Sequence, residues 1–358
     1  MAEGFGKGEP PITRVQSIPE GKVHDCGRVI NSPRICDSHC VPVKSGARKI
    51  WCARRGSRGS MAGMGWQTTE DVAEFLARAG AYLRRERARN TVLLTVAEQL
   101  RVNPARYAAP EAGGTGPAHR PLFGWWTGHD GEAGGAFLHT PPSPLLLTAV
   151  PADVAAGLAA AMAGRTLRGV NAHREAAQPF AAAWRDAAGC VVTPVRGMRL
   201  YRLGELAWPD PAPDGEARVA ADADAPLLAG WFAAFAREVR DAGREDHGAD
   251  MRDKLSYGGI SLWHAGGRPV SMAAVTRQVA GMVRIGPVYT PPEFRGRGYA
   301  SAITAELSLR AREAGAAEVL LYTDLDNPVS NSIYQRIGYR GVEDRVLLAF
   351  SAPSATGR

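Results

Sequence analysis

Six consecutive residues offer the clearest chemistry in this chain: Arg295, Gly296, Arg297, Gly298, Tyr299 and Ala300. An apolar run from Met282 to Thr290 precedes them with the composition of a strand, and a helical pattern from Ala300 to Ala314 follows. Glycine lets a backbone turn tightly and come close to a ligand. The first amides of a helix have no intrahelical acceptor and sit at the positive end of its dipole. Strand, glycine turn and helix start together predict a seat for a diphosphate. No Gly-Lys-Ser/Thr follows the glycines, which argues against a P-loop nucleotide hydrolase.

The elements that position this turn can be read from Glu216 onward. Ala217 to Ala220 can form a strand. Asp224 to Val239 has Leu227, Leu228, Trp231, Phe232 and Phe235 on one side of a helix. Asp250 to Leu255 is a short helix. Ile260 to His264 and Val270 to Thr276 flank Gly266-Gly267 as a hairpin. A second turn near Ala280-Gly281 leads into Met282 to Thr290. Gly286-Pro287 inside that strand predicts a bulge or a break in pairing, since proline removes a ladder donor. Val319 to Thr323 is a buried strand, Val329 to Ile337 a helix stopped by Gly338, and Arg345 to Phe350 a last strand.

This order, β-α-α-β-β-β-loop-α-β-α-β, resembles the GNAT superfamily of acetyl-CoA-dependent N-acetyltransferases over about Glu216 to Phe350. The family's loop reads Gln/Arg-x-x-Gly-x-Gly/Ala, and Arg295, Gly298 and Ala300 stand in register with it. Asn327 to Tyr339, with Asn331, Tyr334 and Gly338, is similar to the family's final helix. The resemblance implies a mixed, mostly antiparallel twisted sheet flanked by helices. It implies that the backbone of Arg295, Gly296, Arg297, Gly298, Tyr299, Ala300 and Ser301 holds the pyrophosphate of acetyl-CoA. Val288, Tyr289 and Thr290 would pair with the pantetheine arm. Tyr334 would be the acid that protonates the leaving thiolate, or else a core tyrosine. Asn327 and Asn331 would bind the cofactor's polar atoms or cap the helix. Many members use a strand glutamate as base, but Met282 to Thr290 contains no acid. Asp324, Asp326 or a water chain stand in as candidates, with none assigned. Glu293 reads as surface.

The first half offers the same general order. Residues 66–100 read as helical, capped within Thr68 to Asp71, with Val72, Phe75, Leu76 and Ala79 on one face and Asn90 capping a second helix. Residues 102–120 read as a loop. Strands follow at Leu122 to Trp126, Ala136 to His139 and Leu145 to Val150, then a helix (Ala152 to Ala163), a strand (Leu167 to Asn171), a helix (Arg174 to Ala187) and a strand (Arg199 to Leu203). Trp125 and Trp126 fit a site or ordinary packing on the two faces of a strand. The loop after Leu145 to Val150 begins at Pro151-Ala152-Asp153 and has no glycine pair. The expectation is two tandem copies, the first degenerate: residues 61–208 as an acetyltransferase-like domain and 209–358 as the catalytic one, joined near Pro209, Pro211 and Pro213. His139-Thr-Pro-Pro matches Tyr289-Thr-Pro-Pro by chance, because aligning the two misplaces the next helix.

Composition narrows the function classes. The chain has 358 residues and a formal net charge of +7. Residues 1–60 hold 11 Lys/Arg against 5 Asp/Glu, so the body is nearly neutral and no nucleic-acid partner is expected. Four of the five lysines lie in this stretch, and Lys254 is the only one after it. The stretch lacks periodicity and reads as a disordered basic tag or upstream extension, with a junction near Gly59-Ser60-Met61. Cys26, Cys36, Cys40 and Cys52, with His24 and His39, lack the paired short spacings of zinc folds, so no metal is expected. No run is long and apolar enough for a membrane span, and no secretory signal is read, so the default is a cytoplasmic protein. The sequence thus predicts acetyl transfer from acetyl-CoA to a primary amine of a small molecule or amino-acid-like acceptor. A longer acyl-CoA donor, or a non-catalytic acyl-CoA sensor or scaffold, is the alternative.

Overall fold

A computed structural model of the chain describes residues 65–104, 120–239 and 247–353. The basic stretch and its cysteines lie outside the described residues. Gly59–Arg358 form one compact unit.

The chain writes the same sentence twice. The first half runs β1 (Gly65–Thr69), α1 (Val72–Arg85), α2 (Thr91–Val102), β2 (Leu122–Thr127), β3 (Ala133–His139), β4 (Leu145–Leu147), α3 (Ala152–Ala161), β5 (Gly169–His173), α4 (Arg174–Ala188) and β6 (Val191–Leu203). The second runs β7 (Glu216–Val219), α5 (Ala225–Glu238), α6 (His247–Ser256), β8 (Ile260–Ala265), β9 (Arg268–Val275), β10 (Met282–Tyr289), α7 (Tyr299–Glu313), β11 (Glu318–Asp324), α8 (Pro328–Arg336) and β12 (Tyr339–Ser351). Two differences from the sequence reading complete the repeat. Gly65–Thr69 is a strand paired antiparallel with β2, not part of a helical stretch; the cap that starts α1 is Asp71, whose carboxylate accepts from the Ala73 amide at 2.7 Å. The last strand of each half is also longer than its local signal. His139 ends β3 and Tyr289 ends β10, so the two Thr-Pro-Pro runs occupy different places in the repeat.

Among the described residues the strands make one twelve-stranded sheet in the order β1-β2-β3-β4-β5-β12-β6-β11-β10-β9-β8-β7. Only β4–β5 and β10–β11 are parallel. The order has an approximate two-fold centre between β12 and β6, and there the halves trade strands. β6 closes the second half by pairing with β11, and β12 closes the first by pairing with β5. The two exchanged strands then pair with each other from Tyr339↔Leu203 to Ser351↔Val191.

Alternation along the strands sorts the helices into two layers. Phe75, Leu83, Leu93 and Leu94 of α1 and α2 pack with Phe123, Leu138, Met282 and Leu320 on one face. On that same face α5 and α6 set Leu228, Phe232 and Met251 against Leu262 and Met272. The opposite face carries α3 and α4 over β4, β5 and β12, and α7 over Val283, Ile285, Val319 and Leu321. Trp125 is buried in the first layer's core while Trp126 packs against the second, so the tryptophan pair serves packing on both faces. Polar contacts also cross between the halves. Arg87 pairs with Glu318 at 2.5 Å, and Arg284 donates to Thr95 and Thr91 at 2.9 and 3.2 Å.

The sheet order makes a prediction. Cutting between residues 208 and 209 leaves each piece without a strand that its own sheet requires, exposing unpaired backbone edges. Expressed alone, 209–358 is expected to aggregate or stay unfolded by circular dichroism; co-expressed with 61–208, it is expected to copurify one-to-one. A monomeric, cooperatively melting 209–358 would contradict the strand exchange.

Candidate active site

The site begins where two parallel strands part. β10 and β11 pair from Met282↔Glu318 to Ile285↔Leu321 and no further. Beyond that point β10 stays with β9, through Val288↔Ala273 and Tyr289↔Met272, after a register shift between Ile285 and Val288. β11 stays with β6, through Thr323↔Arg199 and Asp324↔Met198. The break falls at Gly286-Pro287, as proline's missing donor predicts. The end of β10 is held on its far side by the buried Ser271. Its hydroxyl donates to the Tyr289 carbonyl at 3.1 Å and lies 2.8 Å from the Thr290 hydroxyl.

The chain then turns through a short 3-10 segment, Pro292–Phe294, into the glycine run. Gly296 and Gly298 both adopt left-handed φ, +75° and +81°. Such a φ costs other L-residues about 1–2 kcal/mol, which accounts for glycine at both places. Gly298 is the N-cap of α7, and its carbonyl accepts the first helical bond from Ala302 at 3.1 Å. The amides of Tyr299, Ala300 and Ser301 therefore form the open first turn. Pro213, from the segment joining the halves, packs 3.6 Å from where a Gly298 side chain would begin.

A cavity of about 570 Å³ opens beside this turn. Val288, Tyr289, Thr290 and every residue from Arg295 to Ser301 line it, with Tyr334 of α8 and Asn327 at its cap. Of the residues that the resemblance assigns to the cofactor or to catalysis, Asn331 alone is not in the lining. Its amide donates to the carbonyls of Asp324 and Asn327, both at 2.8 Å, and its oxygen accepts from Tyr201 at 2.9 Å. Asn327 also caps α8, accepting from the Ser330 amide at 3.0 Å. Asp324 accepts from the Asp326 amide at 2.9 Å within a turn, and neither aspartate lines the cavity. Sequence reasoning missed the opposite wall, Phe235 and Glu238 of α5 and Val239 that caps it. The sequence places Phe235 on one apolar helix face with Leu228 and Phe232; those two are buried, and Phe235 is half-buried at the cavity.

The charges suit an anion. Arg297 is exposed at the rim, and Arg336 lines the cavity from α8. Among the described residues the one acid in the lining, Glu238, is bound to Arg295 at 2.6 Å. Arg295 also donates to the Thr290 carbonyl at 2.9 Å, so its side chain ties the turn to α5 and to the end of β10. The Tyr334 hydroxyl has no hydrogen-bond partner among the described residues, and desolvation raises its pKa to about 12. Its ring meets Tyr339 edge-on, centroids 6.2 Å apart. Tyr334 is thus a protonated donor throughout the physiological range.

The first half has the same strand parting, but there a side chain bridges the gap. β4 ends at Leu147, one residue past its last parallel pair, while β5 continues with β12. The guanidinium of Arg345 spans the gap. It donates to the carbonyls of Leu147 and Asn171 at 3.0 and 2.9 Å and pairs with Glu343 at 3.2 Å, fully buried. α3 starts directly after Pro151, with no left-handed glycine. Among the described residues no group of three or more His, Cys, Asp or Glu could hold a metal, and no helix is long and apolar enough to cross a membrane.

One substitution tests the anion seat. Gly298→Glu adds a side chain at positive φ and a negative charge to the first turn. It is expected to weaken CoA binding by at least about 100-fold, on the order of 3 kcal/mol, in a calorimetric titration. Unchanged affinity in a folded variant would show that this turn does not hold the ligand.

Comparison with known proteins places this geometry. Residues 265–348, from the end of β8 into β12, match the family described as FR47-like protein. No curated protein matches the sequence. A Drosophila protein of solved structure is similar over 81% of this chain and 99% of its own, with a TM-score of 0.56 at 14% identity. A GCN5-related N-acetyltransferase from Sphaerobacter thermophilus covers 80% of this chain and 96% of its own (TM-score 0.49, 18% identity). A tandem GNAT protein from the clavulanic acid biosynthesis pathway covers 81% and 99% (TM-score 0.42, 16% identity). With its strand parting, glycine turn and repeated element order, the chain carries the acyl-CoA N-acyltransferase fold, in two tandem copies.

Proposed function

We propose that the chain is an acetyl-CoA-dependent N-acetyltransferase that acetylates a primary amine of a small molecule or amino-acid-like acceptor by direct attack. Its second half, about 209–358, would hold the donor, and its first half, about 61–208, would have lost that role. The observation that carries the reading is the cavity itself. A parted strand pair, an open helix start fed by two left-handed glycines, and a protonated phenol share one wall system. The first turn amides of α7 suit the pyrophosphate, with Arg297 and Arg336 adding positive charge at the rim. The free edge left at Gly286 to Tyr289 suits the pantetheine amides.

In the reaction the amine nitrogen attacks the thioester carbonyl carbon and forms a tetrahedral intermediate. The carbon–sulfur bond then breaks, the sulfur leaves with the electron pair, and Tyr334 gives it a proton. The amine's own proton passes to water, since among the described residues no carboxylate lines the cavity apart from Glu238, which is paired. Solvent reprotonates the phenolate.

A longer acyl chain on the donor is the second reading. The apolar surface offered by Phe235, Val239, Val288 and Ile333 favours it. Thiol release from acetyl-, butyryl- and octanoyl-CoA, each with a panel of small amines, separates the two readings. Absence of thiol release with every pair, alongside tight CoA binding, would instead identify a sensor.

Tyr334→Phe keeps the ring and its contact with Tyr339. CoA affinity should be retained while kcat falls by about 10²–10⁴-fold. Because the phenol stays protonated up to about pH 12, its ionisation should impose no alkaline fall in kcat between pH 7 and 10. Full kcat in the variant, with chemistry rate-limiting, would reduce Tyr334 to a packing residue.

A further inference from the structure

The helix that carries Tyr334 is bonded to the other half of the chain just before it, at its middle and just after it. Before α8, the Leu325 amide donates to the Gly197 carbonyl at 2.9 Å. After it, the amides of Gly204 and Ala207 donate to the carbonyls of Gly338 and Ile337 at 3.0 and 3.2 Å. Gly338 permits this approach; a β-carbon there would lie 1.8 Å from the Glu205 carbonyl oxygen. In the middle stands Tyr201 of β6, whose side chain is almost wholly buried. Its hydroxyl donates to the Asn331 oxygen at 2.9 Å and accepts from the Gln335 amide at 3.0 Å. Asn331 and Gln335 are one helical turn apart, and Tyr334 lies between them in sequence. Asn331 is in turn fixed to the backbone at both Asp324 and Asn327.

We infer that Tyr201, contributed by the first half, is a positioning residue for acyl transfer in the second. A helix of nine residues has little stability of its own in water. α8 has no fully buried residue, so packing alone fixes its rotation about its axis weakly. The Tyr201 hydroxyl grips two side chains on one edge of that helix and sets the rotation, and hence the direction of the Tyr334 hydroxyl. A donor must sit within hydrogen-bond reach of the sulfur, and small misplacement costs rate rather than affinity. The exchanged strand therefore gives the first half a part in the chemistry although its own strand parting is closed by Arg345. The inference rests on the proposed role of Tyr334.

The test is Tyr201→Phe, measured as thiol release from acetyl-CoA with the best amine of the panel, alone and combined with Tyr334→Phe. Tyr201→Phe is expected to lower kcat about tenfold and to change the KM for acetyl-CoA less than about twofold. In the Tyr334→Phe background it is expected to lower kcat less than about twofold, because the group it positions is gone. Should Tyr201→Phe fail to fold by circular dichroism, Gln335→Ala removes one of the two bonds from an exposed side chain. A loss of about threefold with the same non-additivity is then expected. Unchanged kcat, or losses that multiply in full with Tyr334→Phe, would overturn the inference and leave Tyr201 a packing residue. If Tyr334→Phe itself loses nothing, the reading of the active site fails first, and this inference with it.

Discussion

The ladder between β6 and β12 is the interaction on which the rest of the structure depends. It runs from Tyr339↔Leu203 to Ser351↔Val191 with register shifts between Gly341 and Glu343 and between Leu347 and Leu348. A strand has two edges, and each of these strands spends its second edge on the opposite half. β6 gives its Met198 to Arg202 stretch to β11, and β12 gives Arg345 to Ala349 to β5. Backbone amides and carbonyls taken from water need such partners, so neither half can complete its sheet alone. That demand makes one compact body of two repeats.

The same pairing creates the opening. β11 follows β6 and β10 follows β9, so the two parallel strands are drawn apart after Ile285↔Leu321. What happens at the gap then depends on a few side chains. In the second half the chain passes through Gly296 and Gly298 into the open first turn of α7, and a cavity remains. In the first half a buried guanidinium bonds the free carbonyls, and α3 follows a proline. Breaking a buried, hydrogen-bonded charge pair such as Arg345–Glu343 is costly, so the bridge across that gap is stable. One architecture thus yields one copy with an open helix start at the gap and one whose gap is bridged by Arg345.

What the sequence made legible follows from how local each signal is. The glycine turn was readable because left-handed φ is a property of single residues. The stop at Gly338, which adopts a φ of +101°, was readable for the same reason. The break at Gly286-Pro287 was readable from a missing donor. Gly65–Thr69 was not, because threonines beside Asp71 resemble a helix cap and only β2 makes them a strand. The first part of β6 was missed for a related reason. Val191 and Val195 are exposed and Pro194 interrupts the run, yet β12 supplies its pairing along one edge. The strand exchange itself left no mark, since periodicity says which face a side chain takes and nothing about which strand lies alongside. Tyr201 and Gln335 are 134 positions apart, and their hydrogen bond exists only because of that exchange.

Amide hydrogen exchange with and without CoA tests the central claim most directly, since it reports each half separately in the intact chain. If the donor sits in the parted strands of the second half, CoA should slow exchange at Tyr299–Ser301 and along Pro328–Arg336, while the start of α3 at Ala152–Ala155 stays unchanged. Protection at Ala152–Ala155 with none at Tyr299–Ser301 would place the ligand in the first half and contradict the account.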